Sequence, residues 1–216
     1  MGRIETRLSE LGLTLPAPLT APPGVTMNFQ LVKVHNDLAY IAGHGPFDGS
    51  TPLMQGLVGR DLTVEQGYEA ARMTGLSMLA SLKQELGDLD RVTQWIRAVG
   101  YVHCEPGFGQ NATVVNGFSD LIVKLWGEAG RHARSAPGQG PSPLNVPIIV
   151  GGRDRCSRLK RFQQGRHSTG SSCRFSAKTR RRPLSCFINE EPLAASYWRR
   201  FIRNRSESGF WTPTER

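Results

Sequence analysis

The chain reads as an α+β domain, two amphipathic helices packed on one face of a sheet, followed by a basic tail foreign to it. Three observations predict this. Two segments, 63–86 and 111–126, carry apolar side chains three and four residues apart, the period of a helix with one buried face. Around them lie short apolar or alternating runs at 29–34, 38–42, 91–103, 131–137 and 146–151, which fit strands. The charge is also split. Residues 1–154 contain 12 Lys/Arg against 14 Asp/Glu, a net of −2, whereas 155–216 contain 15 against 4, a net of +11. The +9 of the whole chain therefore resides in its last stretch.

That division bounds the function classes. A pI near 9.9 would by itself invite nucleic-acid binding, but the argument reaches only the tail. A domain over 1–150 is long enough for one hydrophobic core, and 151–216 is expected to be disordered. Cys104 is the one cysteine before the tail; Cys156, Cys173 and Cys186 follow it, at spacings matching no zinc pattern. No signal-type apolar core opens the chain and no run of 18 apolar residues occurs. A cytoplasmic protein without membrane contact, metal or cofactor is expected.

The elements follow in order. Residues 3–12 form a short amphipathic helix through Ile4, Leu8 and Leu11, and the prolines of 15–24 make an extended connector. A strand over 29–34 turns at His35-Asn36-Asp37 into a strand over 38–42, whose unbroken apolar run predicts burial on both faces. Gly43-His44-Gly45-Pro46 closes it. Two glycines around one polar residue let a backbone approach a ligand closely, though such clusters also mark ordinary turns. Thr63-Val-Glu-Gln66 is a capping box opening a helix that Gly87 stops. On it Tyr68, Ala71, Gly75, Leu79 and Leu82 share a face whose small residues allow close packing on a sheet, and Met73 and Met78 fill core space. A long strand over 91–103 and a helix through Val114, Val115, Phe118, Leu121, Ile122 and Leu125 complete the pattern.

There is no phosphate-binding glycine loop, nucleophile elbow or clustered Cys/His set. His44, His103 and His132 lie far apart in sequence, so none is marked as a base by spacing. Arg134 is the stronger candidate. It sits between small residues at the start of a strand, and its planar, permanently charged fork suits a carboxylate; the plainer account of such an arginine is a surface salt bridge.

Gly130-Arg131-His132-Ala133-Arg134-Ser135-Ala136, taken with Leu38-Ala-Tyr-Ile-Ala-Gly-His-Gly-Pro46, resembles the reactive intermediate deaminase family (RidA/YjgF-like, often labelled endoribonuclease L-PSP) over about residues 1–150. The resemblance implies a chorismate-mutase-like fold, a homotrimer, and cofactor-free hydrolysis of enamines and imines such as 2-aminoacrylate to 2-keto acids and ammonia. It implies that Arg134 binds the substrate carboxylate in a cleft between subunits. The backbones of Gly43, Gly45 and Ala136 would line that cleft, Asn116 would add a contact, and His44 would stand where the deaminases usually carry glutamine. Three departures accompany it, and His44 in place of that glutamine is one. Ile149 occupies the position of the family's last-strand glutamate, a plausible water-activating base, and Pro137 removes a donor beside the arginine. A non-catalytic carboxylate-binding or interaction module is thus the alternative. An RNA-binding or ribonuclease protein comes third, resting on the family label and on the tail cluster Arg180-Arg181-Arg182 with Trp198, Phe201 and Trp211.

From Gly151 the text changes character. Codons for Gly-Gly-Arg-Asp-Arg, read one base later, permit Glu-Ala-Glu-Ile, the kind of ending the resemblance implies for the last strand. A shift of reading frame near codon 151 is therefore expected to account for 151–216.

Overall fold

A computed structural model describes residues 2–157, and the expectations for the tail beyond Ser157 lie outside the described residues. Helix α1 (Arg3–Glu10) leads through the proline connector to the hairpin β1 (Val32–His35) and β2 (Leu38–His44). A two-residue pair, β3 (Phe47–Asp48) and β4 (Thr51–Pro52), precedes helix α2 (Val64–Leu86). Strand β5 (Val92–His103), helix α3 (Asn111–Trp126), the short strands β6 (Ala133–Ser135) and β7 (Gly138–Gln139), and β8 (Ile148–Cys156) follow. The main sheet runs β1-β2-β8-β5-β6, with β7 also beside β5; β6 and β7 pair with β5 in parallel and the other pairs are antiparallel.

Local chemistry accounts for the helices. Thr63 Oγ1 accepts from the Gln66 amide at 3.2 Å while Gln66 Oε1 accepts from the Thr63 amide at 2.8 Å, the reciprocal cap expected. Gly87 ends α2 at φ +80°, a conformation glycine takes without strain. α2 and α3 lie side by side, and small residues set their separation. A Cβ on Gly117 would fall 1.9 Å from the Tyr68 carbonyl oxygen, and one on Gly75 would fall 2.7 Å from Leu121. The small residues of α2 thus serve contact with α3 rather than with the sheet, a correction to the expected packing. Met78 is fully buried in the core and Met73 only half-buried.

The helices cover one face of the sheet, and its strands show it. In β5, Trp95, Ala98 and Val102 are buried whereas Arg97 and Tyr101 are exposed. In β2, Ala39 and Ile41 are buried but Tyr40 is 41% exposed. The apolar run of 38–42 is therefore not buried on both faces, because no element among the described residues covers the outer one. The first strand starts at Val32 rather than at 29, with Phe29 exposed. In 131–137 only 133–135 pair as a strand, since Pro137 has no N–H to donate and separates β6 from β7.

The largest departure lies at the other end. β8 continues six residues past 150, pairing with β2 on one side and β5 on the other through Cys156. The boundary expected at 150 falls inside a central strand. Gly152 fits there because its missing Cβ would meet the Arg97 carbonyl oxygen at 2.7 Å. Asp154 fits poorly. It stands opposite Ala39 and Trp95 and is fully buried, and neither of its carboxylate oxygens has a hydrogen-bond partner among the described residues.

Candidate carboxylate site

Arg134 is the middle residue of β6 and pairs in register with buried Ala98 of β5, so its side chain leaves the sheet on the helix side. It reaches back to α3. Nη1 donates to Asn116 Oδ1 at 2.9 Å and to Ser119 Oγ at 3.0 Å, and Nη2 donates to the Ala112 carbonyl at 3.3 Å. All three acceptors are neutral. Among the described residues no carboxylate pairs with Arg134, so the plainer account, a surface salt bridge, does not hold among them.

A guanidinium has five N–H donors. Three hydrogen bonds engage Nη1 twice and Nη2 once. Nε finds no acceptor among the described residues, so donors of the guanidinium remain. The arrangement holds the plane of a cation while leaving it able to donate to a carboxylate. Asn116, expected as a contact of the ligand, is instead in direct contact with the arginine.

Ser119 extends the network. Its Oγ lies 3.2 Å from His132 Nε2, and His132 Nδ1 lies 2.7 Å from the Gly130 carbonyl oxygen. The imidazole packs edge-on against Phe118, ring centroids 5.8 Å apart, and tilted against Trp95 at 6.4 Å. Burial pushes the His132 pKa below its ordinary value; the Gly130 hydrogen bond opposes this and the charge of Arg134 adds to it.

The other expected residues lie elsewhere. Gly43, His44 and Gly45 belong to or follow β2, which β8 and β5 separate from β6. Gly43 is exposed on the outer face, where a Cβ would meet Ile149 Cγ2 at 2.7 Å. Gly45 is buried, its Cα facing the Phe47 ring and Val146. His44 is fully buried. Its Nδ1 donates to the Ala42 carbonyl at 2.8 Å, Nε2 has no partner among the described residues, and desolvation lowers its pKa. The ring is closed to solvent, and its burial favours the neutral form. Ala136, two residues past Arg134, is half-buried against the core. One chain thus brings Arg134 and Asn116 together, with Ala136 next along the strand, and leaves the glycine loop across the sheet.

Two further groups bear on the chemistry. The Cys104 thiol donates to Asn111 Oδ1 at 3.3 Å and burial pushes its pKa up, so it is not an activated thiolate. Glu5, Asp88 and Asp90 place carboxylate oxygens within 4.8 Å of one another, but the Arg3 and Ile4 amides already donate to Asp90, and Lys83 lies 3.7 Å from Glu5. Sequence reasoning reached Arg134 through Ala-Arg-Ser and missed Ser119, which nothing in the apolar pattern of α3 distinguishes.

Residues 5–151 match the family described as "YjgF/chorismate_mutase-like, putative endoribonuclease". Protein TCP17 of Trypanosoma cruzi is 35% identical over 150 residues, 69% of this chain and 91% of that protein. A crystal structure of a protein of unknown function from Agrobacterium tumefaciens aligns with a TM-score of 0.65 at 34% identity, covering 72% of this chain and 93% of that one. One described as a putative endoribonuclease from Shewanella oneidensis aligns with a TM-score of 0.65 at 32% identity, covering 70% and 98%.

Proposed function

The chain belongs to the YjgF/chorismate-mutase-like family, and from that premise we propose that it binds a small carboxylate on Arg134 and hydrolyses enamines or imines of the 2-aminoacrylate type. The observation that carries this reading is the Arg134 guanidinium itself, held in place by three neutral acceptors and balanced by no carboxylate among the described residues. An anchored acid would place the neighbouring C=N carbon beside the strand backbone, where water adds to give a carbinolamine and then the keto acid and ammonia. Anchoring and orientation are the main contributions such a site makes.

Completion of the cleft calls for a second copy. Gly43 cannot meet Arg134 across β8 and β5 within one chain, and the outer face of the sheet exposes Tyr40 and Tyr101, at 41% and 42%. A homotrimer that brings the β2 end of one copy to the β6 edge of another is part of the proposal, and sedimentation of the full chain at three times its monomer mass is its expected sign.

The test is keto acid formation from 2-aminoacrylate generated in situ. Acceleration by the full chain, lost in Arg134→Ala, is expected; equal acceleration by the variant would overturn the assignment of the site. Ile149 favours one other reading, a carboxylate-binding module without turnover, since this half-buried side chain against Gly43 neither accepts a proton nor polarises water. Binding of pyruvate that depends on Arg134, with no acceleration of hydrolysis, would select it. Nucleic-acid action ranks below both, because residues 1–154 carry a net charge of −2.

A further inference from the structure

The hydrogen bonds around Arg134 have one self-consistent polarity. The Gly130 carbonyl only accepts, so His132 Nδ1, 2.7 Å away, carries the proton. In the neutral ring Nε2 is then a bare lone pair, and the Ser119 hydroxyl at 3.2 Å must donate to it. With its hydrogen committed, the Ser119 oxygen turns its lone pairs to Arg134 Nη1 at 3.0 Å. The chain runs from the guanidinium through the hydroxyl to the imidazole and ends on a backbone carbonyl. Hydrogen bonds linked in one direction polarise one another.

The groups around His132 leave Arg134 as the charge it answers to. α3 contributes Ser119 and the Phe118 ring, β5 the Trp95 ring, and β6 Arg134. Arg97 of β5 is exposed and precedes Ala98, the residue paired with Arg134, so it stands on the opposite face. Glu128 and Arg131, just before His132, are exposed and pair with each other at 2.9 Å. A proton on His132 would set a second cation across one oxygen atom from the first, and an anion held by Arg134 offsets that conflict.

We propose that Ser119 and His132 are positioning residues for Arg134, and that the Ser119 link couples carboxylate capture to protonation of His132. The neutral state holds the guanidinium in place through Ser119. On protonation Nε2–H donates to Ser119 Oγ, the hydroxyl hydrogen is released from the ring, and the paired cations draw the carboxylate more strongly. Binding and protonation are then reciprocal: an anion on Arg134 raises the His132 pKa, and a lower pH tightens the anion. The inference rests on the reading of Arg134 as a carboxylate site.

The experiment uses the full chain and pyruvate as probe, whose carboxylate stays ionised throughout. Binding is measured from pH 8 to pH 5, together with the nitrogen-15 chemical shifts of the His132 ring. Pyruvate affinity is expected to rise by about fivefold or more as pH falls, at the low end of couplings between linked sites. The ring is expected as the Nδ1–H tautomer, with a pKa that climbs when pyruvate is added. His132→Gln, which supplies an acceptor to Ser119 without titrating, is expected to bind at the alkaline affinity of the parent with a flat profile. Ser119→Ala is expected to bind more weakly at pH 8 and to lose most of the pH effect. An unchanged slope in Ser119→Ala would overturn the role of Ser119. Pyruvate binding that depends on Arg134 but ignores pH would overturn the coupling and leave the site standing. Binding that survives Arg134→Ala would instead overturn the reading of the site itself.

Discussion

Two charged residues on strands of one sheet meet opposite fates. Arg134 on β6 leaves the edge of the sheet for α3, where three neutral acceptors take three of its hydrogens. Asp154 on β8 lies beneath the helices between Ala39 and Trp95, and neither oxygen finds a donor among the described residues. Trp95 Nε1, on the cross-strand neighbour, is also buried without a partner among the described residues, so donor and acceptor stand on adjacent strands unpaired there. A charge steadied by neutral acceptors, with donors to spare and no counter-ion among the described residues, is what the proposed carboxylate site rests on. A charge with neither hydrogen bonds nor a counter-ion is a cost to folding.

That contrast is broken most directly at Asp154. Burial raises its pKa well above the usual carboxylate value. The folded state therefore favours the protonated form, and the penalty appears as pH climbs past the ordinary carboxylate range toward the raised pKa. The contribution of this group to stability is intact in acid and lost with rising pH. Asp154→Ile, a residue that codons read one base later permit there, is expected to raise stability by about 3 kcal/mol at pH 8, the scale of an uncompensated buried charge, and by much less at pH 4. Asp154→Asn should flatten the same pH dependence with a smaller gain, because the amide stays unsatisfied. Urea denaturation at both pH values is the measurement, and a parent no less stable at pH 8 than at pH 4 would remove the premise.

On the other side of the comparison, Arg134→Ala should lower pyruvate affinity by about 100-fold, or roughly 2.7 kcal/mol, the scale of a bidentate charge-assisted contact. Thermal stability should move little, since the side chain is only part-buried. Titration calorimetry separates the two outcomes, and a matching loss of stability would make Arg134 a structural residue after all.

How much of this was legible in the sequence differs between the same regions. α2 and α3 were readable almost to the residue, because Thr63, Gln66, Gly87 and Gly127 act through contacts a few positions away. The outer face of β2 was not. Leu38 to Ala42 reads as buried on both sides, yet no element among the described residues covers its outer side. The end of β8 was missed for the opposite reason. Gly-Gly-Arg-Asp-Arg carries no strand alternation, but pairing with β2 and β5 on both flanks carries the strand through it. At the site, Ala-Arg-Ser marked the cation. Asn116 came to it through the resemblance, but Ser119, 15 residues upstream on a helix surface, could be joined to it only by folding.

Ile149 sharpens the comparison from a third position, since it faces outward beside Gly43 on the strand that buries Asp154. If Arg134 anchors an enamine acid and only the base is lacking, Ile149→Glu should raise turnover of 2-aminoacrylate by at least about tenfold, below the usual range for general acid–base assistance, with little change in pyruvate affinity. The same substitution in Arg134→Ala should give nothing. A rise in turnover independent of Arg134 would detach catalysis from the carboxylate site.

The smallest effect belongs to a residue outside both strands. Thr63→Ala removes the side chain that accepts from the Gln66 amide at 3.2 Å and frees Gln66 from its reciprocal role. A cost of about 1 kcal/mol is expected, as for other N-caps, with pyruvate affinity and its pH profile unchanged. This variant separates general weakening of the fold from loss of the site. It destabilises the chain without touching β6, β8 or the face of α3 that holds Arg134. If pyruvate binding fell with stability here, the site would be drawing on the folding equilibrium of the whole domain, and the losses seen in Ser119→Ala and Arg134→Ala would have to be reread in that light.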